Sequence, residues 1–215
     1  MALKLDMSKA YDRVEWLYLQ KTMEKMGFRQ QWIQLVMNCI STTSYSILVN
    51  GEPKGDIRPS RGIRQGDPLS PYLFLISSKG LNHQIQKAAA DDLIRGFSLC
   101  RSGPKITHIF FANDTLLFCQ AEMGDLQVIQ DILQLYEKAS GQKINRNKTT
   151  VFFSKATNEG RKEGIKDFLG VSEEREYERY LGLPAMVGKD KKASLNYIKE
   201  RVRNKLQGWK EKLLS

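Results

Sequence analysis

The chain has 215 residues, 41% of them hydrophobic, enough for one main domain with a real core and a smaller appendage but not for several independent enzymes. Its 34 Lys and Arg against 24 Asp and Glu leave a formal charge of +10, which favours an anionic partner such as a phosphate backbone. No run approaches the roughly 18 to 20 apolar residues of a membrane span, no apolar leader follows Met1, and the three cysteines, Cys39, Cys100 and Cys119, stand too far apart for a disulfide framework or a C-x-x-C zinc site.

Residues 2–6 alternate apolar and polar as a half-buried strand does, and Ser8 then offers an N-cap to a helix carrying Tyr11, Val14, Trp16, Leu17, Leu19, Met23 and Met26, stopped at Gly27. A second helix fits residues 30–40, with Trp32, Ile33, Val36, Met37 and Ile40 inward. Residues 45–49 then read as a strand entering a hairpin at Asn50-Gly51. Residues 59–71 form a loop rich in Gly, Pro and Arg, and helical spacing returns over 69–90.

Strands are expected at 96–100, 106–112 and 115–119, the last two pairing as a hairpin with Asn113 and Asp114 at its tip. Leu126, Ile129, Leu133 and Tyr136 pattern a helix stopped by Gly141, followed by a strand at 149–153 and a second hairpin at 177–187. From 189 to 212 the chain is basic, with Lys189, Lys191, Lys192, Lys199, Arg201, Arg203, Lys205, Lys210 and Lys212 against Asp190, Glu200 and Glu211. This order predicts an α+β fold with an antiparallel sheet packed on helices, a main domain over 1–187 and a basic helix over 188–215.

Two aspartates suggest chemistry. Magnesium takes hard oxygen ligands, so a site for it needs carboxylates that converge from more than one strand. Asp6, ending a strand, and Asp114, at a hairpin, are suited to meet, although each alone also reads as an N-cap or turn residue.

Three stretches sharpen this: Leu3-Lys4-Leu5-Asp6-Met7-Ser8-Lys9-Ala10-Tyr11-Asp12, Arg61-Gly62-Ile63-Arg64-Gln65-Gly66-Asp67-Pro68-Leu69-Ser70-Pro71, and Phe111-Ala112-Asn113-Asp114. In that order they resemble the palm of a reverse transcriptase, in particular the non-LTR (LINE-type) retrotransposon polymerases of plants, with the start of a thumb. Group II intron maturases and telomerases share the aspartate box, but Tyr180-Leu181-Gly182-Leu183-Pro184 fits the retrotransposon lineage better.

The resemblance implies an RNA-directed DNA polymerase acting on an RNA template, a DNA primer and deoxynucleoside triphosphates, in the nucleus or cytoplasm. It implies that Asp6 and Asp114 hold Mg2+, two ions in the family, and that Tyr11 packs under the incoming sugar and rejects a 2'-hydroxyl. Gln65 and Gly66 would lie over the nascent base pair, and Lys148 would protonate or steady the leaving pyrophosphate. Tyr180, Leu181 and Gly182 would form the primer grip. Arg61, Arg64 and the basic arm with Lys205 would contact nucleic acid. Without the resemblance Tyr11 reads as a core aromatic, Gly66 as a turn former and Lys148 as a solvated charge.

The sequence departs from the pattern in places. Asn113 stands where the family has the first of two aspartates, the stronger metal ligand, so the catalytic set Asp6, Asn113, Asp114 and Lys148 is one negative charge short. The chain begins five residues before Asp6, which reads as a palm with its fingers largely missing, and Lys79 occupies a position where similar elements carry an acid. No endonuclease or ribonuclease H fits in the length. A reverse transcriptase domain impaired in catalysis is therefore expected, with a non-enzymatic nucleic-acid-binding remnant as the alternative and a product with no selected role as the bland reading.

Overall fold

Alternation of Leu3 and Leu5 with Ala2, Lys4 and Asp6 gives a strand with one closed face and one open face, and that strand is the centre of the main sheet. The structure is a computed structural model that describes residues 1–98, 100, 103–111, 114–154, 156–173, 179, 180, 183, 184, 196 and 198–206. Along the chain run β1 (Ala2–Asp6), α1 (Trp16–Lys25), α2 (Gln30–Ser41), β2 (Tyr45–Val49), β3 (Glu52–Ile57), α3 (Ser70–Ala90), β4 (His108–Phe111), β5 (Asp114–Phe118), α4 (Met123–Ser140), β6 (Thr150–Phe152), α5 (Glu159–Leu169) and β7 (Ser172–Glu173). Two compact units divide the chain, Met1–Glu173 and Glu174–Ser215.

The first unit holds a five-stranded sheet in the order β4-β5-β1-β6-β7. β1 is antiparallel to both neighbours, pairing Leu3 with Leu117 on β5 and with Val151 on β6. These three leucine and valine side chains, with Leu5, are at most 2% exposed. They belong to one core with Leu81 and Ile85 of α3 and Leu126, Ile129 and Leu133 of α4, so the helices cover this face of the sheet. The expected α+β architecture is the one found.

Among the described strands only β7 breaks the antiparallel pattern, pairing parallel with β6. A parallel neighbour needs a crossover, and α5 supplies it. This helix has no counterpart in the sequence reading, because Gly160, Gly164 and six charged residues dilute its apolar stripe of Ile165 and Leu169. Its ends are nevertheless well marked: the Asn158 side chain accepts from the Gly160 N–H at 2.9 Å, and Gly170 closes the helix in the left-handed region.

Several expectations shift. Ser8 does not cap α1: its N–H donates to the Lys143 carbonyl at 2.8 Å, and turns continue to Arg13, so the helix starts at Trp16 with Glu15 as N-cap. On α2, Ile33 and Val36 are buried, but Trp32 lies off that stripe and is 49% exposed. The strand expected at 96–100 contributes one bridge, Phe97 to Ile106. Asn50 and Gly51 both take positive φ, 52° and 84°, as a two-residue hairpin turn requires, and β2 and β3 pair across them.

In the second unit β8 (Arg179–Tyr180) and β9 (Leu183–Pro184) pair antiparallel through Tyr180 and Leu183, where a second hairpin was expected. Residues 198–206 are helical, and Lys205 is exposed on them.

Candidate functional site

Asp6 and Asp114 are direct register partners on the neighbouring antiparallel strands β1 and β5. Side chains of directly opposed residues point to the same face with Cβ atoms about 4.5–5.5 Å apart. Period-two alternation assigns that face: Leu5 and Leu117 turn into the core, so Asp6, Lys4, Asp114 and Leu116, all half-buried, turn the other way. Ile109 and Phe111 of β4, 43% and 55% exposed, continue the open surface beside Leu116 and Asp114. Two like charges so close repel unless a cation lies between them, and the closest positive charge along β1 is Lys4, two residues or about 7 Å away.

The hairpin that carries Asp114 is offset by one residue from the sequence reading. β4 ends at Phe111 and β5 begins at Asp114, with Phe111 and Asp114 paired, so Asp114 lies within the strand and not at the tip. That offset is what brings Asp114 opposite Asp6. Asn113, Leu181 and Gly182 lie outside the described residues, as does the side chain of Tyr180.

The main chain of Asp6 is held from the other side. Its N–H donates to Thr149 Oγ1 at 3.4 Å and its carbonyl accepts from the Asn145 N–H at 2.8 Å. The turn from Asn145 is closed by the N–H groups of Lys148 and Thr149 donating to the Asn145 carbonyl at 3.1 and 2.9 Å. Lys148, exposed, therefore rides on a turn anchored to the backbone of Asp6. Sequence reading passed over Asn145 and Thr149, whose only signal was an Asn in a turn context ahead of a strand.

Tyr11 stacks on Phe74 with centroids 5.0 Å apart and planes 10° from parallel, and it is half-buried. Its carbonyl accepts from the Ile63 N–H at 2.9 Å, and Val14 accepts from the Gly62 N–H at 2.8 Å. Trp16 Nε1 donates to the Gly62 carbonyl at 2.7 Å. Gly62 has φ of 87°, and a Cβ there would sit 2.8 Å from the Asp12 carbonyl oxygen, so only glycine fits this approach. These bonds bind the Arg-rich loop to the turn after β1.

The loop borders an open cleft of about 440 Å3, lined in part by Asp12, Cys39, Tyr45, Arg61, Arg64 and Gln65. Arg61 pairs with Glu15 at 3.3 Å, and the Arg64 guanidinium lies 6.0 Å from the Tyr45 ring centre. Gly66 takes φ of 91° and is exposed. Tyr11 and the Arg61–Gly66 loop are thus brought together, whereas Asp6 and Asp114 are not among the described walls of the cleft.

Near β4, His108 Nε2 donates to Asn82 Oδ1 at 2.8 Å, and Nδ1 lies 2.9 Å from the Thr107 hydroxyl, within hydrogen-bond distance. Burial holds this imidazole below its usual range and pushes the Cys119 thiol up to about 12. Among the described residues no group of three or more His, Cys, Asp and Glu is placed to hold a metal ion.

A largely antiparallel sheet backed by helices on one face is a polymerase palm-like fold. Residues 1–185 match the reverse transcriptase (RNA-dependent DNA polymerase) family, and the chain belongs to that family as a reverse transcriptase domain. It is 31% identical over 146 residues to the Pol polyprotein of the type-2 retrotransposable element R2DM of Drosophila melanogaster, covering 67% of this chain and 13% of that one. The R2 Pol polyprotein of Popillia japonica is 30% identical over 161 residues, covering 74% and 25%.

An uncharacterised mitochondrial protein of Arabidopsis thaliana is 43% identical over 68 residues, covering 32% of this chain and 56% of that protein. These matches agree with the non-LTR retrotransposon lineage expected from the sequence. The chain spans between 13% and 56% of the length of these relatives. Telomerase from Candida albicans, solved with a fragment of telomeric RNA, shares the fold at a TM-score of 0.56 and 16% identity, covering 73% of this chain and 28% of that one. No described helix is long and apolar enough to cross a membrane.

Proposed function

We propose that the chain is the palm of an RNA-directed DNA polymerase that joins a deoxynucleoside triphosphate to a DNA primer on an RNA template, with catalysis weakened by Asn113. The single observation that carries this reading is the pairing of Asp6 with Asp114 on the open face of the sheet. Hard oxygen donors a few ångströms apart fit Mg2+, and Asp6 and Asp114 are the residues that would hold it. When bound, such ions supply an activated primer hydroxyl and charge neutralisation at the triphosphate.

The remaining chemistry belongs to the chain. Asp6 and Asp114 hold negative charge at a fixed point, because both sit in paired strands and Asp6 is clamped by Asn145 and Thr149. Tyr11, braced by Phe74, walls the sugar side, and Gln65 with Gly66 supplies the backbone that meets the nascent pair. Lys148 on its anchored turn carries the proton or charge for the leaving pyrophosphate. Arg61, Arg64 and Lys205, all exposed, meet phosphates of template and primer, and Tyr180, Leu181 and Gly182 form the grip on the primer.

Asn113 is neutral where a carboxylate would share the load of two mutually repelling dications. Loss of one preorganised electrostatic group costs on the order of 100 to 1,000-fold in rate. Asn113→Asp is expected to raise Mg2+-dependent primer extension by about that factor, measured on the chain joined to the amino-terminal polymerase segment of an R2 relative. Equal extension by the two forms would remove Asn113 as the cause of impairment. The neutral Asn113 also favours a second reading, a domain that binds nucleic acid without chemistry. That reading predicts salt-sensitive RNA binding with no incorporation by either form.

A further inference from the structure

On the helical layer, away from the open face of the sheet, α1 and α3 leave a groove of about 650 Å3 lined in part by Tyr18, Lys21, Lys25, Lys79, Asn82 and His83. The closed face of the sheet, with Leu3, Leu5 and Leu117, packs on the helices, so this groove lies on the other side of the sheet from Asp6 and Asp114. Its floor is set where the helices approach: a Cβ at Gly80 would run into the Tyr18 hydroxyl, which donates to the Ser77 carbonyl at 3.1 Å.

The charges on its rim are one-sided. Lys21 is engaged by Glu24 at 2.9 Å, and the same carboxylate accepts from Gln20. Among the described residues, Lys25 and Lys79 have no ion-pair partner, and both are exposed. Lys21 and Lys25 on one wall, and Lys79 and His83 on the other, are each spaced by four residues, about one helical turn. Lys21 and Lys25 on one wall and Lys79 on the other put positive charge on both sides of the groove, and the one-turn repeat of Lys21 and Lys25 suits a repeating anion better than an isolated one.

We propose that this groove binds the phosphate backbone of single-stranded nucleic acid, as a second site separate from the carboxylate face. Family membership and the net charge of +10 favour a nucleic acid over an acidic peptide. The site depends on cations of α1 and α3 and not on the chemistry at Asp6 and Asp114, so the two readings fail independently.

The test is fluorescence anisotropy of a labelled 20-nucleotide single-stranded RNA titrated with the chain from 50 to 200 mM salt. Replacing Lys25→Glu together with Lys79→Glu is expected to weaken binding at least about tenfold and to flatten the slope of log affinity on log salt by about 1.4, two phosphates at about 0.7 each. Lys25→Arg with Lys79→Arg should retain wild-type affinity. Unchanged affinity and slope in the glutamate pair, or loss in the arginine pair, would overturn the proposal. Displacement of the RNA by polyglutamate at equal charge concentration would overturn it too, giving the groove to an acidic peptide.

Discussion

The two faces of β1 have opposite compositions and opposite roles. Leu3 and Leu5, each 1% exposed, face the helices, while Lys4 and Asp6 face outward beside Asp114. A period of two residues lets one five-residue strand build a core and present a site at once. The closed face supplies the rigidity that the open face needs, because two like charges stay opposed only if the strands beneath them cannot slip. A one-residue slip would also send every leucine to water, so register is protected by burial.

Substitution on the closed face should have the largest effect. Leu5→Ala is expected to cost about 2–5 kcal/mol in urea unfolding, from lost transfer energy plus a cavity. Asp6→Asn, one position along and on the open face, should change stability by less than about 0.5 kcal/mol, and in the stabilising direction, because it relieves repulsion with Asp114. Equal destabilisation by both substitutions would erase the distinction between the faces.

A smaller effect concerns the edge of the sheet. Burial holds His108 below the usual imidazole range, so its neutral form is favoured by folding. The contribution to stability is full above about pH 6.5, the unfolded value, and falls as pH drops from there through the lower folded value. The urea midpoint should therefore be lower at pH 5.5 than at 7.5, and His108→Gln should reduce that difference. An undiminished difference in the variant would assign it to other groups.

Much of this arrangement was legible in the sequence. The alternation of residues 2–6, the spacing of Leu126, Ile129, Leu133 and Tyr136, and the Asn50-Gly51 turn each encode local structure through burial or backbone preference, and each appears as expected. Asp6 and Asp114 could be named as a pair, but their opposition could not, since it depends on where the β4–β5 hairpin turns. α5 escaped because caps and one short apolar stripe define it, and Trp32 misled because apolar character alone does not say which side of a helix is covered. The basic groove was invisible because its walls come from two helices distant in sequence. Roles carried by Tyr11, Gln65, Gly66 and Lys148 came from resemblance, not from periodicity.

The central claim is that Asp6 and Asp114 serve one shared cation site. Mn2+ titration followed by electron paramagnetic resonance, on the chain and on Asp6→Asn, Asp114→Asn, the double variant and Asn113→Asp, tests it without any turnover. Either aspartate substitution is expected to remove the same bound ion, the double variant to lose no more, and Asn113→Asp to tighten binding about tenfold by restoring one charge. Independent, additive losses at Asp6 and Asp114, or Mn2+ binding untouched by both, would contradict it.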